Sequence, residues 1–293
     1  MHSFWIILIG SFVAISCGLL GCFLILRKMA MVGDAISHAV LPGIVIAFII
    51  SESRDSFMML IGAVSIGIFT TFLIEFLHRK GKLQTDASIG VTFTWLFAIG
   101  VILVSYTREA HIDEECVLFG EITYVSTDLW ITDAGTNLGP RFVYITGVTL
   151  LLNLLFIIFG YKELKATTFD AAFAGIMGIS ATLWHYLLMG FVSMTTVASF
   201  ESVGAILVIA LLIAPPATAY LLTTNLKRML ILTSIIGVIV AVTGYYLAVL
   251  VNGSIAGAMS TMAGVLFALA FLFSPQEGIL IKKRKIEQKT VNA

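Results

Sequence analysis

Charge is scarce in this sequence. Only 12% of its 293 residues are Asp, Glu, Lys or Arg, and 59% are hydrophobic. Soluble domains carry about 25% charged residues. Half that share cannot cover a surface facing water, which excludes an ordinary soluble fold. The charges that exist are 17 basic and 17 acidic, so there is no basic excess of the kind that binds nucleic acid. Cysteine is also rare. Cys17, Cys22 and Cys116 are too few for a disulfide framework. The Cys17-x4-Cys22 pair has no companion thiols or imidazoles to make a zinc knuckle, so both read as packing residues. No G-x-x-x-x-G-K-[ST] phosphate loop, H-E-x-x-H zinc motif or G-x-S-x-G nucleophile elbow occurs. These absences leave no signature of an enzyme. Met1-His2-Ser3-Phe4-Trp5 lacks the basic leader and cleavage site of a signal peptide, so the first apolar run is expected to stay as a span.

What the chain does contain is long apolar runs, and its mean hydropathy is +1.04. A membrane helix needs about 20 such residues. Runs of this kind cover Phe4–Leu26, Ala35–Ile50, Phe57–Leu77, Ala87–Tyr106, Phe142–Gly160, Ala172–Met194, Ser202–Leu222, Met229–Leu250 and Ser254–Phe273. The second is short and interrupted by Pro42-Gly43. The apolar stretch Val117–Val125, in the longest loop, can lie along the membrane or dip into it, so the count is eight to nine. The expected fold is an all-α integral membrane protein, a polytopic bundle of eight to nine transmembrane helices. It forms one domain over residues 1–293, with a short basic tail at 275–293. Glycines within the spans (Gly10, Gly18, Gly21, Gly62, Gly67, Gly175, Gly178, Gly257, Gly264) predict close helix–helix approach.

Basic residues orient the spans. Arg27-Lys28, the group at 78–82, Lys162 with Lys165, Lys227-Arg228 and Lys282–Lys285 all fall on one side if the N-terminus is outside and the C-terminus inside. The loop from Thr107 to Pro140 is then external. Its residues His111, Asp113, Glu114, Glu115 and Glu121 read as a solvated acidic face, and Lys282–Lys285 as an anchor to anionic headgroups.

Ionisable residues at lipid depth cost about 2.5–3.5 kcal/mol each on insertion scales, so each one present asks for a reason. Asp34 and His38 are four apart and share one helix face. A carboxylate beside an imidazole is half of a site for manganese, iron or zinc, without the thiolates that select softer ions. Pro42-Gly43 just beyond would weaken the helix and expose carbonyls, as at transport sites. The alternative is structural, with Asp34 as a helix cap and His38 bonded to a neighbour. Glu201, at the outer start of the seventh run, completes a site, lines the pathway, forms a gate or is solvated by headgroup water. His185, between Trp184 and Tyr186, reads as a packing residue, and Glu75 and Asp86 as interfacial ion-pair partners of the basic turn.

At these residues the chain resembles the membrane permease subunits of bacterial ABC importers for manganese, zinc or iron. The resemblance rests on Gly33-Asp34-x-x-x-His38-Ala39, Cys116–Ile122, Tyr161–Lys165 with Phe169-Asp170, Phe200–Leu207 with Ala214-Pro215, and Ser254–Ala258. It covers nearly the whole chain, and the Glu201-Ser202-Val203-Gly204 form is most similar to the manganese branch. The resemblance implies a multi-pass bacterial plasma-membrane protein with the type II ABC importer-like permease fold. It also implies a transport role without enzymatic activity and no permanent cofactor. The cargo would be a divalent metal, manganese first, with zinc or iron as alternatives. Its implied partners are a cytoplasmic ATP-binding subunit, an extracytoplasmic metal-binding protein and a second permease chain, in a homodimer or heterodimer. The implied metal residues are Asp34 and His38, with Glu201 as a weaker match. ATPase docking would fall on a cytoplasmic helix within Pro215–Met229, involving Pro215, Pro216, Asn225, Lys227 and Arg228, with Lys162–Phe173 contributing. The rival class is a proton-coupled secondary transporter, in which Asp34 and His38 relay protons.

Overall fold

The computed structural model describes residues 2–51, 56–106, 122, 129–131 and 137–274. Helices α1 (His2–Leu26), α2 (Ala30–Ser51), α3 (Ser56–Gly81) and α4 (Thr85–Tyr106) come first. A short antiparallel ribbon follows, β1 (Leu129–Ile131) and β2 (Asn137–Pro140), with Leu129 opposite Pro140 and Ile131 opposite Asn137. Then come α5 (Arg141–Phe159), α6 (Tyr161–Phe169), α7 (Ala171–Ile176), α8 (Ala181–Val203), α9 (Ala205–Leu222), α10 (Leu226–Val251) and α11 (Ile255–Phe273). Among the described residues, nine helices, all but α6 and α7, are long and apolar enough to cross a bilayer. Helix is the expected form, because lipid offers no partner for an unpaired backbone group. The loop residues His111, Asp113, Glu114, Glu115, Cys116 and Glu121, the stretch 117–121, and the tail with Lys282–Lys285 lie outside the described residues.

Three boundaries differ from the sequence reading. The second span is neither short nor broken, since α2 runs 22 residues straight through Pro42. The sixth begins at Ala181 rather than Ala172, because Gly178 takes φ +78° and ends the preceding α7. That conformation is open to glycine and strained for other residues. Glu201 and Ser202 close α8 rather than open the next span, and Gly204 at φ +82° separates α8 from α9.

The chain divides into two compact units. The first comprises Met1–Ile25, Glu121–Leu150 and Ile206–Ala293. Its α1 is deeply enclosed, with Ile9, Leu20 and Phe23 fully buried. A Cβ on Gly21 would collide with the Leu212 carbonyl and the Pro216 ring of α9. A Cβ on Gly18 would collide with Thr233 of α10, whose hydroxyl lies 3.2 Å from the buried Cys22 Sγ. Gly244 of α10 lies directly against the Met259 backbone of α11.

The second unit comprises Leu26–Gly120 and Leu151–Ala205. Here α2 packs on α3 through Gly43 and Gly62, each against the other's carbonyl, and on α4 where Gly100 meets Leu41 and Pro42. Gly67 of α3 abuts Ser193 of α8. Asn153 donates to Thr195 Oγ1 at 2.8 Å, both buried, the kind of hydrogen bond that joins helices in lipid. Close packing does not account for every glycine. Gly175, Gly178 and Gly264 have nothing within 4 Å of a notional Cβ, and Gly257 meets only its own capping residue, Ser254.

Candidate metal site

Asp34 and His38 lie near the start of α2, on the unit formed by Leu26–Gly120 and Leu151–Ala205. Most of their neighbours on the helix, Val32, Gly33, Ala35, Ile36, Ser37, Ala39 and Val40, are buried. Met31, Asp34, His38 and Leu41 are not, and their spacing of three and four draws one stripe along the helix. The pair therefore stands on the open side of a helix whose other faces are packed. The Asp34 and His38 side chains keep 31% and 33% of their accessible surface, enough for an ion to reach both.

Asp34 Oδ1 lies 3.5 Å from His38 Nε2. Two donors each about 2.1 Å from a tetrahedrally held ion are about 3.4 Å apart, so this spacing admits an ion between them almost without movement. The imidazole is flanked by α4, with its centroid 5.7 Å from that of Phe93 and 6.0 Å from that of Phe97, which meets it edge-on. Phe93 and Phe97 are themselves four apart, so one face of α4 walls the ring. Sequence reading missed them because phenylalanines on a membrane helix look like any other lipid-facing residue. Pro42 has no N–H, and the His38 carbonyl four residues back loses its usual helical donor. Among the described residues no group of three or more His, Cys, Asp or Glu side chains comes together. The pair alone is therefore an incomplete shell, to be filled by water or backbone oxygen or from outside the described residues.

The other expected residues are spread out. By a rise of about 1.5 Å per residue, His38 stands about 12 Å along α2 from Ala30, and Glu201 about 30 Å along α8 from Ala181. Met29 and Val32 line the same cavity as Ala181 and Thr182, so both helices start at one level. Glu201 accordingly belongs toward the opposite end of the span from the Asp34–His38 pair. His185 lines that cavity at the start of α8. Glu75 pairs with Arg79 at 2.6 Å, as expected, whereas Asp86 is exposed in the first turn of α4 and forms no ion pair among the described residues. The positive end of the helix dipole supports a carboxylate there without a partner.

Pro215 and Pro216 lie inside α9, which continues to Leu222. Asn225 caps α10 by accepting from Lys227 N at 3.0 Å, and Lys227 and Arg228 are exposed in its first turn. Within Pro215–Met229 the chain finishes α9 at Leu222, turns over Thr223, Thr224 and Asn225, and starts α10 at Leu226. The short helices of the chain are α6 and α7, where Phe169, Phe173 and Ile176 are exposed, as is Met177 just past the end of α7. Ile176 and Met177 were absorbed into the sixth apolar run, which hid them.

The ABC 3 transport family matches residues 2–274, nearly the whole described chain. The manganese transport system membrane protein MntD of Bacillus subtilis (strain 168) is 52% identical over 280 residues, covering 95% of this chain and 94% of the relative. The zinc transport system membrane protein TroD of Treponema pallidum (strain Nichols) is 45% identical, covering 94% and 75%. A solved structure described as PsaBC from Streptococcus pneumoniae in complex with Fab superposes with a TM-score of 0.78 at 32% identity, over 95% of this chain and 94% of that one. With nine membrane-length helices among the described residues and a family match over nearly all of them, this multi-pass plasma-membrane protein belongs to the ABC 3 transport family.

Proposed function

We propose that this chain is the permease subunit of an ATP-driven importer that carries a divalent transition metal, manganese first, into the cell. The observation that carries the reading is the Asp34–His38 pair, 3.5 Å apart on the open stripe of α2. One carboxylate oxygen and one imidazole nitrogen suit manganese, iron and zinc alike. The 52% identity with a protein named for manganese transport favours manganese, and the 45% identity with one named for zinc makes zinc the second reading. Two protein ligands, helped by water, would hold the ion weakly enough to let it leave. A second permease chain, identical or not, would complete the pore. An extracytoplasmic metal-binding protein would deliver the ion to the outer side. Glu201, toward that side, would draw the cation into the outer mouth.

The chain has no phosphate loop, so ATP would be hydrolysed on a separate cytoplasmic subunit. The exposed apolar residues of α6 and α7, with Lys162 and Lys165, would supply most of its docking surface. The turn after Pro215 and Pro216, with Asn225, Lys227 and Arg228, would supply the rest. ATP-driven motion would then open the pair alternately to the two sides.

Uptake of radioactive manganese, in cells lacking their own manganese importers, tests the proposal. The permease is co-expressed with its ATPase and binding protein, with and without a hydrolysis-dead ATPase. Uptake that needs active ATPase, with zinc a weaker competitor than unlabelled manganese, is the expected result. Uptake that proceeds with the dead ATPase, driven by a proton gradient, would establish a secondary transporter instead.

A further inference from the structure

The second unit carries a half-open cavity of about 590 Å³ at the ends of its helices that carry basic residues. Its charged lining is Arg27, Lys28, Arg79 and Glu75. Glu75 is already paired with Arg79 at 2.6 Å. Arg27 and Lys28 belong to neither of the two ion pairs found among the described residues. Arg27 is held in place by two hydroxyls: its Nε donates to Thr168 Oγ1 at 3.1 Å and an Nη2 hydrogen to Thr167 Oγ1 at 3.0 Å. A guanidinium has five N–H donors, so three remain unused by described residues. Burial lowers the Arg27 pKa to about 10, which still leaves a full cation at neutral pH.

A half-buried cation without a counter-charge is costly, and proteins normally offset it with an anion. The rest of the cavity's polar lining includes the hydroxyls of Thr85 and Thr182, the imidazole of His185 and the Glu75 carboxylate, one oxygen of which is held by Arg79. Thr85 and Ala181–Thr182 open the long helices α4 and α8, whose first turns carry partial positive charge, offset at α4 by the exposed Asp86 and partly capped at α8 by Ser180, which accepts from Leu183 N. The net charge of the lining, with both histidines neutral, is three cations against one acid. That balance repels a metal ion and attracts an anion. The volume is that of a small-molecule pocket, larger than one inorganic ion requires.

We propose that this cavity binds a phosphate-bearing anion, with Arg27 and Lys28 as its charged contacts. The phosphate has two possible sources at this level: an acidic phospholipid headgroup of the inner leaflet, or a free phosphate from the cytosol.

Native mass spectrometry of the full-length chain, purified in neutral detergent, separates them. Phosphatidylglycerol, phosphatidylcholine or inorganic phosphate is added to wild type, Arg27→Gln, Arg27→Lys and Lys28→Gln. Thermal melting reports whether each variant is folded. One phosphatidylglycerol retained per chain in preference to phosphatidylcholine, and bound at least about tenfold more weakly by Arg27→Gln and Lys28→Gln, supports the lipid source. Arg27→Lys is expected to keep most of the binding. Saturable binding of inorganic phosphate that displaces the lipid and weakens in the same variants supports the free source. Equal retention of both lipids by wild type and variants, with no phosphate binding, overturns the proposal. Should Arg27→Gln fail to fold, Lys28→Gln carries the same test, because Lys28 is exposed and bears no packing load.

Discussion

Asp34 and His38 face each other on a mostly apolar helix. Their four-residue spacing is visible in the sequence, and the 3.5 Å approach between Oδ1 and Nε2 is what that spacing gives on a helix. The aromatic wall of Phe93 and Phe97 was not visible, because it comes from another helix. Glycines make the same point. Gly21 and Gly264 look alike in sequence, yet one faces the Leu212 carbonyl and the other open space. Gly21→Ala should therefore lower stability by about 1–3 kcal/mol through overpacking. Gly264→Ala should be neutral or gain up to about 1 kcal/mol from helix propensity. Melting temperatures of the two variants in one detergent check the pair. Equal effects would mean that the close approach of α1 and α9 is not as described.

At the scale of elements, the apolar pattern located the spans but misplaced their joints. Residues 171–177 are as apolar as a membrane helix, and hydropathy cannot tell a helix that enters lipid from one that waits for a protein partner. The break is made by Gly178, whose φ of +78° no hydropathy pattern reports. Pro42 misled in the other direction: a proline suggested an interruption, but the packed neighbours of α2 carry the helix through it. The ribbon of β1 and β2 went unseen because its strands are only three and four residues long. If α7 is the docking element, Ile176→Asp should leave the permease in the membrane and abolish co-purification of the ATPase. Gly178→Ala, straining the turn by about 1–2 kcal/mol, should weaken co-purification less. Full co-purification of Ile176→Asp would move docking to Asn225, Lys227 and Arg228.

At the scale of the whole molecule, charge placement fixes orientation. Nine membrane-length helices among the described residues agree with the five basic groups on one side, so the N-terminus is expected outside and the tail inside. In a Cys116→Ser background, where Cys17 and Cys22 are buried, a cysteine at Ser254 should react with an impermeant maleimide from outside intact cells. A cysteine at Lys165 should react only after lysis. The reverse pattern would invert the topology and put the phosphate-binding cavity on the outer face. Family membership reaches across this whole scale, since the match runs from residue 2 to 274. The cargo does not, because relatives named for manganese and for zinc are both close.

In the proposed function, Asp34 and His38 hold the metal as it crosses. The direct measurement is manganese uptake by Asp34→Ala and His38→Ala in cells that depend on this permease, with the amount of each variant in the membrane determined by immunoblot. Losing a buried outer-shell partner of a metal site already costs about 10–100-fold, so losing either ligand should reduce uptake at least tenfold at equal membrane level. If both variants reach the membrane and import manganese at the wild-type rate, the pair is structural and the ion takes another path.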